Sequence, residues 1–482
     1  MTATVAAASP LWLTPHPLQR VGAFAVARLA GRAGVDAVTG ADLDLVGAAV
    51  QRDAVAAARA SKQGPGSYWQ KVLGAGFPNS PATHPGRARR DVAAELAAFL
   101  DRPATPGMVG FPCVLCARPA DRVVGKDRFP LVASVGYRNT TAPGVPGWPL
   151  CWPCLLAGWA MPYGATYVRG QLVVFDASDQ GLLGYLTGRA VVENRRYVSV
   201  DQVAAPVRLE RPTTVAFRAL REYRETPQSG VRMLVFRNDN RGAQLRSHRI
   251  AQRRCAFLVG LDARDKAAGL GLRAVCRAFD VHGRDGTMRR LGENVAATSL
   301  LEQPEHRFLS DARRALLGIV SSGQLRPQEQ STDAPGTIPA LARRYAKDVL
   351  NVSTVDTGRI EQVSERVAAL IGNGEVRGPL HEFTEASRSP HKLNSWFRRR
   401  AVDRLITDPQ AGPLLEPADY ELLFQEGADG FVARDLLFFA VIARLHERGW
   451  GRSLDEAARA ELAAELANAT TDDTDDEEEP RT

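Results

Sequence analysis

Four cysteines carry the sharpest chemistry in this sequence. Cys113-Val-Leu-Cys116 is followed by Cys151-Trp-Pro-Cys154. A C-x2-C knuckle sets two thiolates on one side of a tight turn, and two knuckles complete a tetrahedral shell that Zn²⁺ favours. Such a shell leaves no open coordination position, so a zinc ion there would staple the fold and do no catalysis. The 34 residues between the pairs exceed the usual zinc-ribbon spacing, so the insert must loop out. The competing readings are two chance pairs or a redox dithiol; the latter expects a single pair beside a βαβ unit, which the pattern lacks. Cys255 and Cys276 stand alone and read as buried small residues.

Arginine supplies the second signal. The run from Arg237 through Arg241, Arg246, Arg249, Arg253 and Arg254 is the densest basic stretch of the middle region. Read as a helix over 244–259, it puts Arg246, Arg249 and Arg253 on one face, toward phosphate. A second cluster combines His391, Lys392, Arg398, Arg399, Arg400 and Arg404 with an apolar stripe of Leu393, Phe397, Ala401 and Leu405. A solvated, salt-bridged helix face is the plain alternative for both clusters. Asn79 and Asn139 are candidates for pairing with a base edge, with Arg138 on a phosphate. Turn capping beside Pro78 and Thr140 would explain the two asparagines equally well.

Catalytic signatures are missing. There is no phosphate-binding G-x-x-x-x-G-K-[ST] loop, no H-E-x-x-H and no G-x-S-x-G. The eight histidines are scattered, and Gly269 and Gly271 form an isolated G-x-G. The expectation is a protein that is not an enzyme.

The elements around these groups point to a multidomain α+β chain. Its 482 residues, 45% hydrophobic and 24% charged, suit a globular protein with several domains. The net charge of +7 hides an asymmetry: residues 471–482 hold seven acids and one arginine. That leaves 60 basic against 47 acidic residues in the rest, a net of +13, which suits an anionic partner such as nucleic acid. Only six of the 61 basic residues are lysine, so arginine abundance alone says little.

The expected division is an N-terminal helical part over 1–102, a zinc-binding segment over 103–165 and a mixed α+β region over 166–330. A C-terminal helical bundle over 335–470 and an acidic disordered tail over 471–482 complete it. Strands are expected at Leu172–Phe175, Ala190–Val192, Tyr197–Val200 and Met233–Phe236. The apolar segment Val432–Leu445 should form the buried centre of the bundle. Residues 139–168 carry no charge, but Pro143, Pro146, Pro149, Pro153 and Pro162 exclude a spanning helix. No signal peptide is evident, six cysteines do not make a secreted disulfide framework, and a cytoplasmic location is expected.

Several phrases in the first third resemble the CXXC–CXXC family of CRISPR-associated proteins. They are Trp12-Leu-Thr-Pro-His16-Pro17 leading to Val21-Gly22, then Phe77-Pro78-Asn79 ahead of the cysteines. Cys113–Cys116, Tyr137-Arg138-Asn139, Cys151–Cys154 and Ala160-Met-Pro162-Tyr163-Gly164 follow in the family's order. The likeness covers about residues 11–170, and the remainder matches by length and layout. Pro15 stands where glycine is more usual, and Leu18-Gln-Arg20 stands where an aspartate is common.

The resemblance implies the large subunit of a type I-B CRISPR surveillance complex (Cascade). Such a subunit sits at the 5′ end of the guide RNA and recognises the target-adjacent motif in double-stranded DNA. It helps R-loop formation and presents a docking surface to the helicase-nuclease. Its partners would be guide RNA, target duplex, the displaced single strand and the other Cascade subunits (backbone, guide 5′-end-binding and small). Base pairing reads the target in such a system, so the protein needs only short-motif readout and backbone contacts. The alternative is a stand-alone zinc-stapled nucleic-acid-binding regulator, although no helix-turn-helix or similar reading unit is evident.

Overall fold

The computed structural model describes residues 9–61, 63–136, 144, 146–200, 209–239, 242–321, 334–372, 378–408, 410 and 412–449. The fold is mixed α+β, dominated by helices with small antiparallel sheets. It divides into two compact units. The first comprises residues 1–219 and 223–255; the second comprises 220–222 and 256–482.

In the first unit, α1 (Pro17–Leu29) and α2 (Gly40–Arg59) lead to α3 (Ser67–Gly76) and α4 (Val92–Leu100). Thr39 and Asp42 form a capping box at the start of α2, each side chain satisfying the other residue's backbone N–H. A short β1–β2 ribbon (Arg122–Val124, Trp148–Leu150) feeds α5 (Trp152–Ala160). Next come β3 (Thr166–Val168), β4 (Gln171–Ala177), α6 (Gln180–Ser199) and α7 (Pro212–Glu222), then β5 (Val231–Asp239) and β6 (Gly242–Ile250). Strands β3-β4-β5-β6 form one antiparallel sheet in that order. The run Leu172–Phe175 is buried in β4, the strand on which α1 and α6 pack.

The two strands expected at Ala190–Val192 and Tyr197–Val200 do not form; α6 runs through Ser199. Asp179 caps that helix by accepting from the Leu182 N–H. Leu182, Leu183, Leu186, Ala190 and Val191 then bury one face at helical spacing. Tertiary burial overrides the local β-preference of valine and tyrosine here.

After α8 (Gln252–Leu258), the second unit contains α9 (Leu261–Arg264), α10 (Lys266–Ala278) and a short hairpin of β7 (Val281–His282) and β8 (Met288–Arg290). Helices α11 (Glu293–Leu301), α12 (Arg307–Ser321), α13 (Ala334–Asp348) and α14 (Thr354–Gly372) follow. Among the described residues the last four are α15 (Gly378–Ala386), α16 (Pro390–Thr407), α17 (Pro417–Phe424) and α18 (Ala428–Glu447). Helix α18 is apolar on most faces, with Val432, Leu436, Leu437, Phe438, Phe439 and Val441 buried against α12, α13, α14 and α17.

The expected boundary at residue 330 is not where the units divide. Helix α10 packs closely along α13, and the absent side chain of Gly271 makes this possible. A Cβ there would lie 2.3 Å from the Thr337 carbonyl oxygen. Residues 256–321 therefore share a core with the C-terminal helices. No described helix is long and apolar enough to cross a membrane.

Candidate metal centre and nucleic-acid surface

The first cysteine knuckle is a tight reversal between Pro112 and Pro119. The Cys113 N–H donates to the Arg118 carbonyl at 2.6 Å and the Ala117 N–H to the Cys113 carbonyl at 2.9 Å. Ala117 takes φ +62° to close the turn. The Val114 N–H donates to the Pro149 carbonyl at 3.0 Å, tying this knuckle to β2. The second knuckle begins where β2 ends. Cys151 is the N-cap of α5, and Cys154 lies in its first turn. Asp121 braces the junction, accepting from the Trp152 N–H (2.6 Å) and the Gly107 N–H (2.7 Å).

These restraints bring the sulfurs of Cys113, Cys116, Cys151 and Cys154 within 4.8 Å of one another, and Cys116 Sγ lies 3.4 Å from Cys151 Sγ. A tetrahedral ion with Zn–S bonds of about 2.3 Å needs sulfurs about 3.8 Å apart, so the donor set fits a metal with small adjustments. No disulfide joins any of them. Hydrogen bonds from Cys116, Cys151 and Cys154 hold the Cys113 thiol far below its ordinary value. Cys151 and Cys154, facing Cys113 and Cys116, are pushed up instead. Cys116 is also shifted down, so the acidic thiols lie on the first knuckle, and a divalent cation binding the four sulfurs would displace the protons that remain. Cys255 and Cys276 are buried and take no part in the cluster; burial pushes the Cys255 thiol up to about 12.

Sequence features far apart along the chain converge on this centre. Arg118 of the first knuckle stacks over Trp12 at 3.9 Å and donates to the Pro10 carbonyl. Gly22 allows α1 to touch α5, since a Cβ there would lie 1.8 Å from the Ala157 carbonyl oxygen. Phe77 stacks on Trp159 of α5, with ring centroids 4.3 Å apart and planes within 14°. Beyond α5, Asn194 of α6 donates to the Pro162, Tyr163 and Ala165 carbonyls, and Tyr68 donates to its side-chain oxygen. The buried Tyr163 hydroxyl donates to Asp53 at 2.6 Å. Sequence reasoning missed Asp121, Asn194 and Arg118, because each acts through partners distant in the chain.

Asn79 is half-buried and has φ +64°, a left-handed conformation that asparagine tolerates better than most residues. Asn238 of β5 donates to the Gly76 carbonyl at 3.2 Å, anchoring the preceding helix end to the sheet. Arg138 and Asn139, the expected companions of Asn79, and Arg241 lie outside the described residues.

The remaining basic candidates are placed differently from expectation. Arg246 and Arg249 belong to strand β6, not to a helix, because residues 242–250 pair along the whole of β5. Strand side chains alternate, so residues three apart face opposite sides. Arg246 lies opposite Val235 and donates to Gln171 at 3.1 Å, whereas Arg249 lies opposite Arg232. Arg253 alone is helical, in the first turn of α8. The structure therefore does not form one arginine face from the three; it forms a two-sided basic edge strand.

In the second unit, Lys392, Arg398 and Arg399 are exposed on α16, as a phosphate contact requires. Arg400 is committed to Glu382 at 2.6 Å and Asp403 at 3.3 Å. The buried side of α16 is Leu393, Trp396 and Phe397; Leu405, expected in the apolar stripe, is exposed. No family model, curated protein or solved structure matches this chain.

Proposed function

We propose that this chain is the large subunit of a type I-B CRISPR surveillance complex, with Zn²⁺ held by Cys113, Cys116, Cys151 and Cys154. One observation carries the reading. The separate phrases that resemble the family meet around one helix: Trp12 through Arg118, Gly22 against α5, Phe77 on Trp159, and both knuckles at the start of α5. A shared structural purpose for such dispersed residues supports common design more strongly than the cysteine spacing alone. The closed four-thiolate shell makes the zinc a staple, so its role is to hold the Trp12 and Phe77–Asn79 segments in register. Asn79 is the described candidate for contact with the target-adjacent motif, and Lys392, Arg398 and Arg399 are candidates for the displaced strand. In this reading the chain has no catalytic role, and cleavage belongs to the helicase-nuclease that it recruits.

The test is affinity purification of the tagged protein from its own cells, followed by sequencing of bound RNA and identification of bound proteins. The expected outcome is one RNA class of uniform length with a constant 5′ portion, accompanied by further subunits in fixed ratio. A protein that purifies without RNA yet binds a defined duplex sequence unaided would replace this reading with the stand-alone regulator. Stoichiometric zinc by elemental analysis is expected in either case and tests the metal separately.

A further inference from the structure

Among the described residues, most arginines of the second unit are already spoken for. Arg343 pairs with Glu361, Arg344 with Asp348, Arg366 with Asp419, Arg444 with Glu447 and Arg448 with Glu365. The β7–β8 hairpin is an exception. Arg284, Arg289 and Arg290 are exposed and have no ion-pair partner among the described residues. His282 lies exposed beside them.

The hairpin's acids accept hydrogen bonds from backbone and hydroxyl groups and form no ion pair with these arginines. Asp285 accepts from the Thr287 N–H at 3.1 Å and its hydroxyl at 2.7 Å, and Asp280 accepts from the Gly292 N–H at 2.7 Å. The turn is closed by Gly283 N–H to the Thr287 carbonyl at 2.7 Å, with Gly286 at φ +77°. Val281 pairs with Arg290 and His282 with Met288, so Arg289 is the extra residue of a bulge. Bulges re-aim side chains, and here the bulge crowds two consecutive arginines on one short strand. A small ribbon thus presents three unpaired guanidiniums on a well-defined turn.

We infer that the β7–β8 hairpin is a contact for the phosphates of duplex DNA, made by Arg284, Arg289 and Arg290. Guanidinium forks match phosphate geometry, and unpaired ones need break no ion pair to bind. Two adjacent strands, about 4.8 Å apart, fit the roughly 12 Å major groove of B-form DNA. Single strands are gripped chiefly by aromatic stacking platforms. The segment from Val281 to Arg290 contains no Phe, Tyr or Trp. A-form RNA closes its major groove to such a ribbon. The inference rests on the proposed reading only for its ligand class, and it requires no partner subunit.

The test measures binding of a 20-base-pair duplex of arbitrary sequence by the full-length protein, in its complex if it purifies as one, across 50 to 200 mM salt. Each phosphate contact adds about 0.9 to the slope of log affinity against log salt. The triple variant Arg284→Gln, Arg289→Gln, Arg290→Gln should therefore flatten the slope by about 2 to 3, and each single variant by about 1. A control triple, Arg343→Gln, Arg344→Gln, Arg448→Gln, removes the same charge from paired arginines and should leave the slope near wild type. Equal slopes for the hairpin triple and wild type, or equal flattening by the control, would overturn the hairpin contact. So would a wild-type protein that ignores duplex DNA. Flattening seen only with single-stranded DNA or duplex RNA would overturn the choice of ligand. The slope comparisons leave the subunit reading untouched, since co-purifying guide RNA tests it separately; a wild-type complex that ignored duplex DNA would count against both.

Discussion

The region around α5 and the region around α18 solve the same problem by opposite means. Helix α18 is long and apolar on most faces, and neighbouring helices bury it in the ordinary way. Among the described residues of 103–150, regular structure is limited to the three-residue strands β1 and β2, joined by turns and prolines. Besides a few buried side chains such as Val124 and Phe129, the segment carries a set of point restraints: four clustered sulfurs, Asp121 on two N–H groups, and Arg118 on Trp12. A helical core distributes its stability over many contacts, whereas a clamp concentrates it in a few. The two regions should therefore fail differently when single residues are changed.

The largest effect is expected at the clamp. Ser in place of Cys113, Cys116, Cys151 or Cys154 removes one thiolate from the proposed zinc site, and zinc binding is worth on the order of 10 kcal/mol in small zinc modules. That is comparable to the whole stability of a typical domain, about 5–15 kcal/mol. Each variant should lose zinc and become protease-sensitive between residues 103 and 165, with cleavage inside 256–449 unchanged. Limited proteolysis with mass spectrometry reads this directly. A fully folded, zinc-free protein would show that the cysteines only fill space.

The helical unit holds a buried point restraint of its own. Arg313 of α12 donates to Asp435 of α18 at 3.1 Å, to the Thr384 carbonyl at 3.0 Å and to Ser387 Oγ at 2.7 Å, all buried. The Phe438 ring lies 4.3 Å from the same guanidinium. Burial pushes the Asp435 carboxyl up and pulls the Arg313 guanidinium down. Asp435→Ala strands a buried cation and should cost about 3–5 kcal/mol. Replacing both, as Arg313→Met with Asp435→Leu, should recover much of that loss. Chemical denaturation checks both, and zinc content should not change.

The same contrast explains what the sequence disclosed. The knuckle spacing named all four candidate ligands, and the apolar run Val432–Leu445 named the centre of the helical core, because both signals are local. Strand β6 was misread because Arg246, Arg249 and Arg253 fit a helix face equally well on their own. The pairing of β6 with β5, which holds Met233–Phe236, decides between the two, and spacing within one segment does not contain it. Likewise α6 hides its helix behind valines, and the kinship of α10 with α13 depends on Gly271, whose role appears only when two helices meet.

Glycine contacts allow a paired test of the two regions at smaller cost. A Cβ at Gly22 would meet the Ala157 carbonyl oxygen at 1.8 Å, and one at Gly271 would meet that of Thr337 at 2.3 Å. Gly22→Ala and Gly271→Ala should each destabilise by roughly 1–3 kcal/mol through overpacking, despite a better helix propensity. The difference lies in the secondary effect. Moving α1 away from α5 disturbs the helix that carries Cys151 and Cys154, so Gly22→Ala should also weaken zinc retention against a chelator. Gly271→Ala should not. Equal retention in both variants would mean that the clamp is indifferent to the packing behind it.

The smallest effect on stability, and the most informative for function, is expected at Asn79. Its φ of +64° gives a backbone reason for asparagine, and base-edge readout gives a separate chemical one. Two substitutions divide them. Glycine accepts the left-handed conformation and has no amide, so Asn79→Gly should keep stability within about 1 kcal/mol of wild type. Alanine lacks the amide and also resists the conformation, so Asn79→Ala should be the less stable of the two. If the amide reads a base, both variants should lose preference among flanking motifs to the same extent while nonspecific duplex binding persists. If the turn alone matters, Asn79→Gly should keep the preference and Asn79→Ala should lose it in proportion to its instability. Binding measured against a panel of flanking motifs, beside thermal melts of the same samples, separates the outcomes.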